Sequence, residues 1–147
     1  MATGKRKDPY LGFNFQIEIQ GLVVGGFMEV SGLQLEIQIK EYQEGGQNAF
    51  VHKLPGPARF PGNLTLKRGL SDSDLLWDWQ SKVAAGNIQR RNGSVILLDE
   101  TGVEKLRWNF FNAYPVRWNG PQFNAETASV AFETLELAHT GIQQVRR

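Results

Sequence analysis

Phe13, Phe15, Ile17 and Ile19 alternate with Asn14, Gln16, Glu18 and Gln20, a strict period of two that predicts a half-buried strand with one polar face. Leu33, Leu35, Ile37 and Ile39 repeat the pattern against Gln34, Glu36, Gln38 and Lys40, which predicts a second half-buried strand. Leu64 and Leu66, set between Asn63, Thr65 and Lys67, mark a third. Further on, Leu106, Trp108 and Phe110 face away from Lys105, Arg107 and Asn109, and Phe111 shifts the phase as a bulge would. From Ser129 to His139 a long strand is expected. Val130 and Phe132 lie out of phase there with Leu135 and Leu137, so a second bulge or a strong bend is predicted.

One stretch departs from this pattern. Ser71 to Gly86, S-D-S-D-L-L-W-D-W-Q-S-K-V-A-A-G, carries a helical period. Leu75, Leu76, Trp79 and Val83 form one apolar stripe, the docking face of the helix, with Ala84 on its border. Ser71 suits an N-cap and Asp74 completes a capping-box pattern, while Asp72, Asp74 and Asp78 put negative charge near the positive end of the helix dipole. Gly86 supplies a left-handed stop. Trp77 falls off the stripe, either at the margin of the sheet beneath or as an anchor for a neighbouring subunit.

The remaining segments are connections. Glu41 to Gly62 is the least regular part, broken by Gly45-Gly46, Pro55, Pro57 and Pro61, with room for a short strand around Phe50 and Val51. It holds Tyr42, Phe50, Leu54 and Phe60, more large apolar groups than a solvated loop needs, and these four are candidate contacts to other subunits. Asn87 to Arg91 reads as a connecting strand, Asn92-Gly93 as a hairpin turn and Ser94 to Leu98 as an apolar strand. Asp99 to Gly102 closes another turn, and Tyr114-Pro115 to Pro121 reads as an irregular aromatic connection. Seven or eight strands and one helix at about 71–86 argue a mainly β, antiparallel sandwich or barrel with a single flanking helix. The whole of 1–147 reads as one domain, with a flexible N-terminal arm over 1–8 that holds Lys5, Arg6 and Lys7.

Composition narrows the function classes. The chain has 147 residues, 41% of them hydrophobic, and a formal charge of +1 with both signs interspersed. That balance does not suit a protein held to duplex DNA by phosphate neutralisation. The start has no apolar signal region and no run approaches the roughly 18–20 apolar residues of a bilayer span, so synthesis in a cytoplasm and no direct membrane anchoring are expected. With no cysteine, disulfides, thiolate nucleophiles and cysteine zinc sites are excluded. His52 and His139 are the two histidines, and neither has a second ligand at helical or strand spacing. Asp72, Asp74, Asp78, Asp99 and Glu100 read as dipole and turn chemistry, and Gly45-Gly46 with Lys53 to Gly56 lacks the helix start that a phosphate loop requires. No catalytic, metal or cofactor site is expected, and the informative feature is surface.

A series of segments then carries a family likeness. D-P-Y-L-G-F-N-F-Q-I-E-I-Q-G (Asp8 to Gly21), G-F-M-E-V-S-G-L (Gly26 to Leu33), E-Y-Q-E-G-G-Q-N (Glu41 to Asn48), K-L-P-G (Lys53 to Gly56), N-L-T-L-K-R-G-L (Asn63 to Leu70), W-N-F-F-N-A-Y-P (Trp108 to Pro115) and A-F-E-T-L-E-L-A-H-T-G (Ala131 to Gly141) occur in that order. Together they resemble the tail tube proteins of contractile phages and of extracellular contractile injection systems. The resemblance implies the fold shared with the haemolysin-coregulated tube protein of type VI secretion. It also implies hexameric rings stacked into a hollow tube inside a contractile sheath, with baseplate and spike proteins at the tip and cargo or a tape-measure protein in the lumen.

Under that reading Gln16, Glu18 and Gln20, or Gln34, Glu36 and Gln38, are candidate lumen residues. The irregular segment would make ring-to-ring and neighbour contacts, and the basic arm would bear on an adjacent ring or the sheath. Two alternatives stay open. One is the tube initiator that joins spike to tube. The other is an oligonucleotide-binding barrel with Trp108, Phe110, Trp118 and Arg107 as its stacking face. A small-ligand barrel is disfavoured by the polar strand faces. Leu54→Asp or Phe50→Asp is expected to leave a folded, soluble subunit that no longer polymerises, which sedimentation of the variants beside the parent chain would test.

Overall fold

The computed structural model describes residues 12, 14–20, 22, 25–42 and 52–146. Nine strands and one helix follow in the order β1 (Phe15–Ile19), β2 (Phe27–Ser31), β3 (Glu36–Tyr42), β4 (His52–Arg59), β5 (Leu64–Gly69), α1 (Leu75–Ala84), β6 (Arg91–Leu98), β7 (Glu104–Asn119), β8 (Phe132–Ala138) and β9 (Gly141–Arg146). All strand pairs are antiparallel. The main sheet runs β1-β6-β7-β8-β5-β2, with β9 added along β7, while β3 and β4 form a separate two-stranded ribbon.

The long β7 turns this sheet into two layers. Its first half pairs with β6 and β9, and from Tyr114 onward it pairs with β8. At the join Asn112 takes a left-handed φ of 54° and the β6–β7 register shifts between Arg91 and Gly93, so the bulge expected from the phase change at Phe111 is present one residue on. Ile17, Ile19, Val95 and Phe110 from one layer and Leu64, Leu66, Leu135 and Leu137 from the other join one buried cluster. The path does not close: its terminal strands β1 and β2 are not hydrogen-bonded to each other. The fold is therefore an open sandwich rather than a barrel.

Helix α1 adds Leu76 and Trp79 to that cluster, while Leu75 and Val83 are half-buried. The expected stripe is the one that docks. The helix starts later than the capping pattern suggested: Asp74 occupies the N-cap without a side-chain bond, and Ser71 Oγ instead accepts from the Ser73 N–H at 3.3 Å. Its stop agrees with the sequence, since Gly86 has φ 92°. The Asn87 N–H reaches back to Lys82 O and the Gly86 N–H to Val83 O, which satisfies the last carbonyls. Trp79 Nε1 donates to Gln89 O at 2.9 Å, and the exposed Trp77 packs edge-on against Trp118 with centroids 4.8 Å apart. Trp77 is thus engaged at the sheet margin.

Several local expectations change. Asn92-Gly93 is no hairpin turn but lies inside β6, where Gly93 is flanked by Ile19 on β1 and Phe110 on β7. A Cβ there would collide with the Phe110 ring and the Glu18 carbonyl, so this glycine serves close strand approach. Residues 87–90 form no strand. Tyr114 to Asn119 is not an irregular connection but the second half of β7, with buried Pro115 beside a register shift that tolerates it. In β4, Pro55 and Pro57 sit in a strand that among the described residues pairs with β3 alone, so their missing N–H groups need no second ladder.

The predicted bulge within β8 is absent, because β8 pairs with β5 in unbroken register. Glu133 shares the core face with Leu135 and Leu137, and Val130 lies before the strand. Strand β9 escaped the pattern: Ile142 and Val145 fall on opposite faces, and its place comes from backbone pairing along β7. Finally, β3 does not bury its apolar row, since every described β3 side chain is exposed.

Among the described residues the core holds one ion pair. Arg68 on β5 and Glu133 on β8 sit opposite each other in register with Nε to Oε2 at 3.5 Å, both almost fully buried. Arg68 Nη2 donates to Ser73 O at 2.9 Å and Trp118 Nε1 donates to Glu133 Oε1 at 3.3 Å. The pair thereby ties both β strands to β7 and to the segment leading into α1. Removing one partner of such a pair leaves an uncompensated buried charge, a loss of about 3–5 kcal/mol. Glu133→Leu is expected to lose that amount in urea unfolding, and adding Arg68→Met to it is expected to restore most of the loss.

The β6–β7 turn is held by Asp99. Its Oδ1 accepts from Thr101 Oγ1 at 2.7 Å and from the Thr101 and Val103 N–H groups at 2.9 Å, with Lys105 Nζ 3.7 Å from Oδ2. These donors, the Thr101 hydroxyl foremost, hold the carboxyl at about 2, below its ordinary 3.8. A depressed folded value means the contribution is complete above the ordinary value and is lost as pH falls through the folded one. The melting temperature is expected to fall as pH drops from about 4 to about 2. Asp99→Asn should flatten that part of the profile in circular dichroism melts.

Candidate assembly surfaces

The outer face of the β1-β6-β7-β9 layer carries Ile96 and Val145 beside a polar cluster that is internally neutralised. Gln16 and Glu18 project from β1 on the side away from buried Ile17 and Ile19, and the register brings Glu18 beside Ser94, and Ser94 beside Asn109. Arg107 Nη1 lies 3.2 Å from Glu18 Oε2 and 3.2 Å from Ser94 Oγ, while Nη2 lies 2.7 Å from Glu104 Oε1. Ser94 Oγ donates to Asn109 Oδ1 at 2.6 Å. The Glu104 carboxylate, foremost among these partners, raises the Arg107 guanidinium above its ordinary value, so the guanidinium keeps its charge. Gln20 follows the strand, exposed, with its carbonyl accepting from Arg91 Nη1 at 2.8 Å.

The β3–β4 ribbon is two-faced. Ile37 opposite Ala58 and Ile39 opposite Pro55 share one face, with Glu41 opposite Lys53 toward its outer end. Glu36 opposite Arg59 and Lys40 opposite Leu54 share the other. Glu36 and Arg59 form an ion pair at 2.7 Å, and the carboxylate holds the guanidinium above its ordinary value. Leu35, Ile37 and Ile39 are 66%, 48% and 60% exposed. The ribbon makes no extensive contact with another element of the described fold. Its apolar face is therefore uncovered among the described residues.

An apolar groove of about 340 Å³ runs between β1 and β2, which do not pair with each other. Phe15, Met28, Val30, Leu33, Leu97 and Trp108 line it, with Glu29 on its rim. On the outer face of the second layer, Lys67 Nζ sits 4.4 Å above the Phe132 ring and 3.9 Å from Glu29. Beyond it, the 120–131 connection carries Phe123, 81% exposed.

The other residues singled out by sequence are placed as follows. Gln34, Glu36 and Gln38 are exposed, and Leu54 is half exposed on the polar side of the ribbon. Phe60 is half-buried and stands edge-on to His139 with centroids 6.0 Å apart, so part of its surface is already used within the chain. Tyr42 ends β3, paired through the backbone with His52. Lys5, Arg6, Lys7 and Phe50 lie outside the described residues. Sequence reasoning did not anticipate that Leu35, Ile37 and Ile39 stand exposed. Their alternation signals a two-faced strand, but a period of two does not report what covers either face.

Among the described residues no cluster of three or more histidine, aspartate or glutamate side chains is placed to hold a metal ion. His139 Nε2 lies 3.1 Å from Gly62 O. No described helix is long and apolar enough to cross a membrane.

Comparison with known proteins gives the family. The model of the T4-like virus tail tube protein gp19 family matches residues 11–143. The chain belongs to that tail tube family. It is thus a tube-type structural subunit, a component of a phage tail or tail-like injection particle. No curated protein sequence matches it at a significant level.

Solved structures give the same fold for this tail tube chain. A chain from the anti-feeding prophage baseplate is 24% identical with a TM-score of 0.83, the alignment covering 96% of this chain and 98% of that one. A chain from the PVC extracellular contractile injection system sheath-tube complex, in the extended state, is 23% identical with a TM-score of 0.84, covering 95% and 93%. A chain from the anti-feeding prophage tube-terminating cap is 22% identical with a TM-score of 0.88, covering 99% and 97%. More distantly, Hcp1 from Flavobacterium johnsoniae aligns at 15% identity and a TM-score of 0.57, covering 92% and 100%.

Proposed function

We propose that the chain builds the inner tube of a contractile injection particle or contractile phage tail. It assembles as hexameric rings that stack into a hollow conduit, which a contracting sheath drives through a target envelope. The observation that carries this reading is the β3–β4 ribbon, whose apolar face is left uncovered by the other described residues. Such a face matches a subunit completed by its neighbours, since each fully buried large side chain contributes about 1.5–3 kcal/mol and many such contacts act together in a polymer.

Gln16, Glu18 and Gln20, or the polar ribbon row Gln34, Glu36 and Gln38, are the proposed lumen residues. Their charges are matched by Arg107 and Arg59, so passing cargo or a tape-measure protein would meet amides and neutral pairs. Sheath, baseplate and spike are the proposed outer partners, with Lys5, Arg6 and Lys7 reaching an adjacent ring or the sheath. The role is mechanical, and no reaction is assigned.

A second reading keeps the same ring but places it at the spike as the tube initiator. It is favoured by the likeness to a chain from a baseplate structure as well as to one from a sheath-tube complex. Negative-stain electron microscopy of the purified chain over a range of concentrations separates the two. Hexameric rings that lengthen into tubes are expected for the tube subunit, rings that never stack alone point to the initiator, and monomers at every concentration would overturn both.

A further inference from the structure

We infer that Asn119-Gly120 is a site of spontaneous covalent modification, where the Asn119 carboxamide becomes an acid through a cyclic imide, and that the fold withholds the same chemistry from Asn92-Gly93. The inference is independent of the tube reading.

The sequence holds Asn-Gly twice, at Asn92-Gly93 and at Asn119-Gly120. Glycine has no Cβ to shield its own nitrogen or to restrict the turn that brings that nitrogen to the asparagine side chain. Gly120 N attacks Asn119 Cγ. The new N–Cγ bond closes a five-membered imide, the bond from Cγ to the amide nitrogen breaks, and the proton of the Gly120 N–H leaves with that nitrogen as ammonia. Water then adds to one of the two imide carbonyls. Cleavage of the N–Cγ bond gives an aspartyl residue. Cleavage between the nitrogen and the Asn119 backbone carbonyl carbon gives an isoaspartyl residue, with the chain routed through the side chain. One ammonia is released and one water consumed, so solvent is the sole co-reactant.

Ring closure takes the asparagine out of its extended conformation, so what holds each pair decides its fate. Asn92 and Gly93 lie inside β6, between β1 and β7. Asn92 O accepts from the Gln20 N–H and its Oδ1 from the Asn112 N–H, both at 2.9 Å, and Gly93 is packed against the Phe110 ring. Turning this pair breaks bonds to both neighbouring strands. Asn119 instead ends β7, on the last rung opposite Thr134. The pairing with β9 stops at Phe111, so among the described residues β8 alone borders Asn119. Its side-chain amide makes no hydrogen bond among the described residues. Gly120 opens the 120–131 connection, which has no strand or helix, and borders an open cavity of about 400 Å³, so water reaches the imide. Strand ends open at a small fraction of the global unfolding free energy, whereas a central strand opens only with its sheet.

Conversion puts a carboxylate on the outer face of the second layer, on the same side of β7 as the exposed Arg117. It also lowers the formal charge of the chain from +1 to zero.

The purified full chain is held at mildly alkaline pH, folded and in urea, and sampled over time. Trypsin cleaves after Arg91, Lys105 and Arg117, which puts the two pairs in separate peptides, and fragmentation in the mass spectrometer locates the acid. In the folded chain Asn119 is expected to convert roughly tenfold or more faster than Asn92, with comparable rates in urea. The acidic peak that grows on ion exchange should co-elute with the Asn119→Asp variant and be missing from Asn119→Gln. Equal rates at the two pairs in the folded chain would overturn the inference, as would an acid that maps to Asn124. Conversion at Asn119 confined to urea would show that the strand end protects it, and no conversion even in urea would show that Pro121 blocks ring closure; either result overturns the inference too.

Discussion

One strand serving two layers is the constraint from which the rest of this molecule follows. β7 pairs with β6 and β9 through its first half and with β8 through its second. The left-handed residue Asn112 marks the change. Because one backbone belongs to both layers, the layers face each other around Phe110, Ala113 and Pro115, all fully or nearly fully buried. Packing then fixes which face of each strand is inward. The same bend sends β1 and β2 to the two free ends of the sheet path, where they flank a groove instead of pairing.

The inside of the sandwich is stitched as well as packed. The buried Arg68–Glu133 pair gathers β5, β8, Trp118 of β7 and the approach to α1 into one connected set. Trp79 ties the far side of the helix to Gln89. Such a body resists shear, because polar groups buried in low dielectric hold their partners strongly and tolerate little displacement.

Outside, charge and grease are kept apart. The first layer shows the solvent a face on which Glu18, Arg107, Glu104, Ser94 and Asn109 satisfy one another. The ribbon repeats the arrangement with Glu36 and Arg59 on one side and isoleucines on the other. Exposed apolar side chains form a row at Leu35, Ile37 and Ile39, and others, Phe123 and Val130 among them, stand elsewhere on the surface.

By itself the sequence determined the class of fold and the local elements whose cause is local. The alternation at Phe15 to Ile19 and Leu64 to Leu66, the docking stripe of α1 and the glycine stop at Gly86 are set by side-chain period and by one residue's freedom to adopt positive φ. The tertiary structure alone decided the features set by distant partners. β9 exists because β7 offers it a free edge, and Gly93 is needed because Phe110 passes beside it. Glu133 is core because Arg68 stands opposite, and the row of Leu35, Ile37 and Ile39 is open because no other part of the described chain lies over it. A period of two states that a strand has two faces; which face is covered depends on chain distant in sequence or on another molecule.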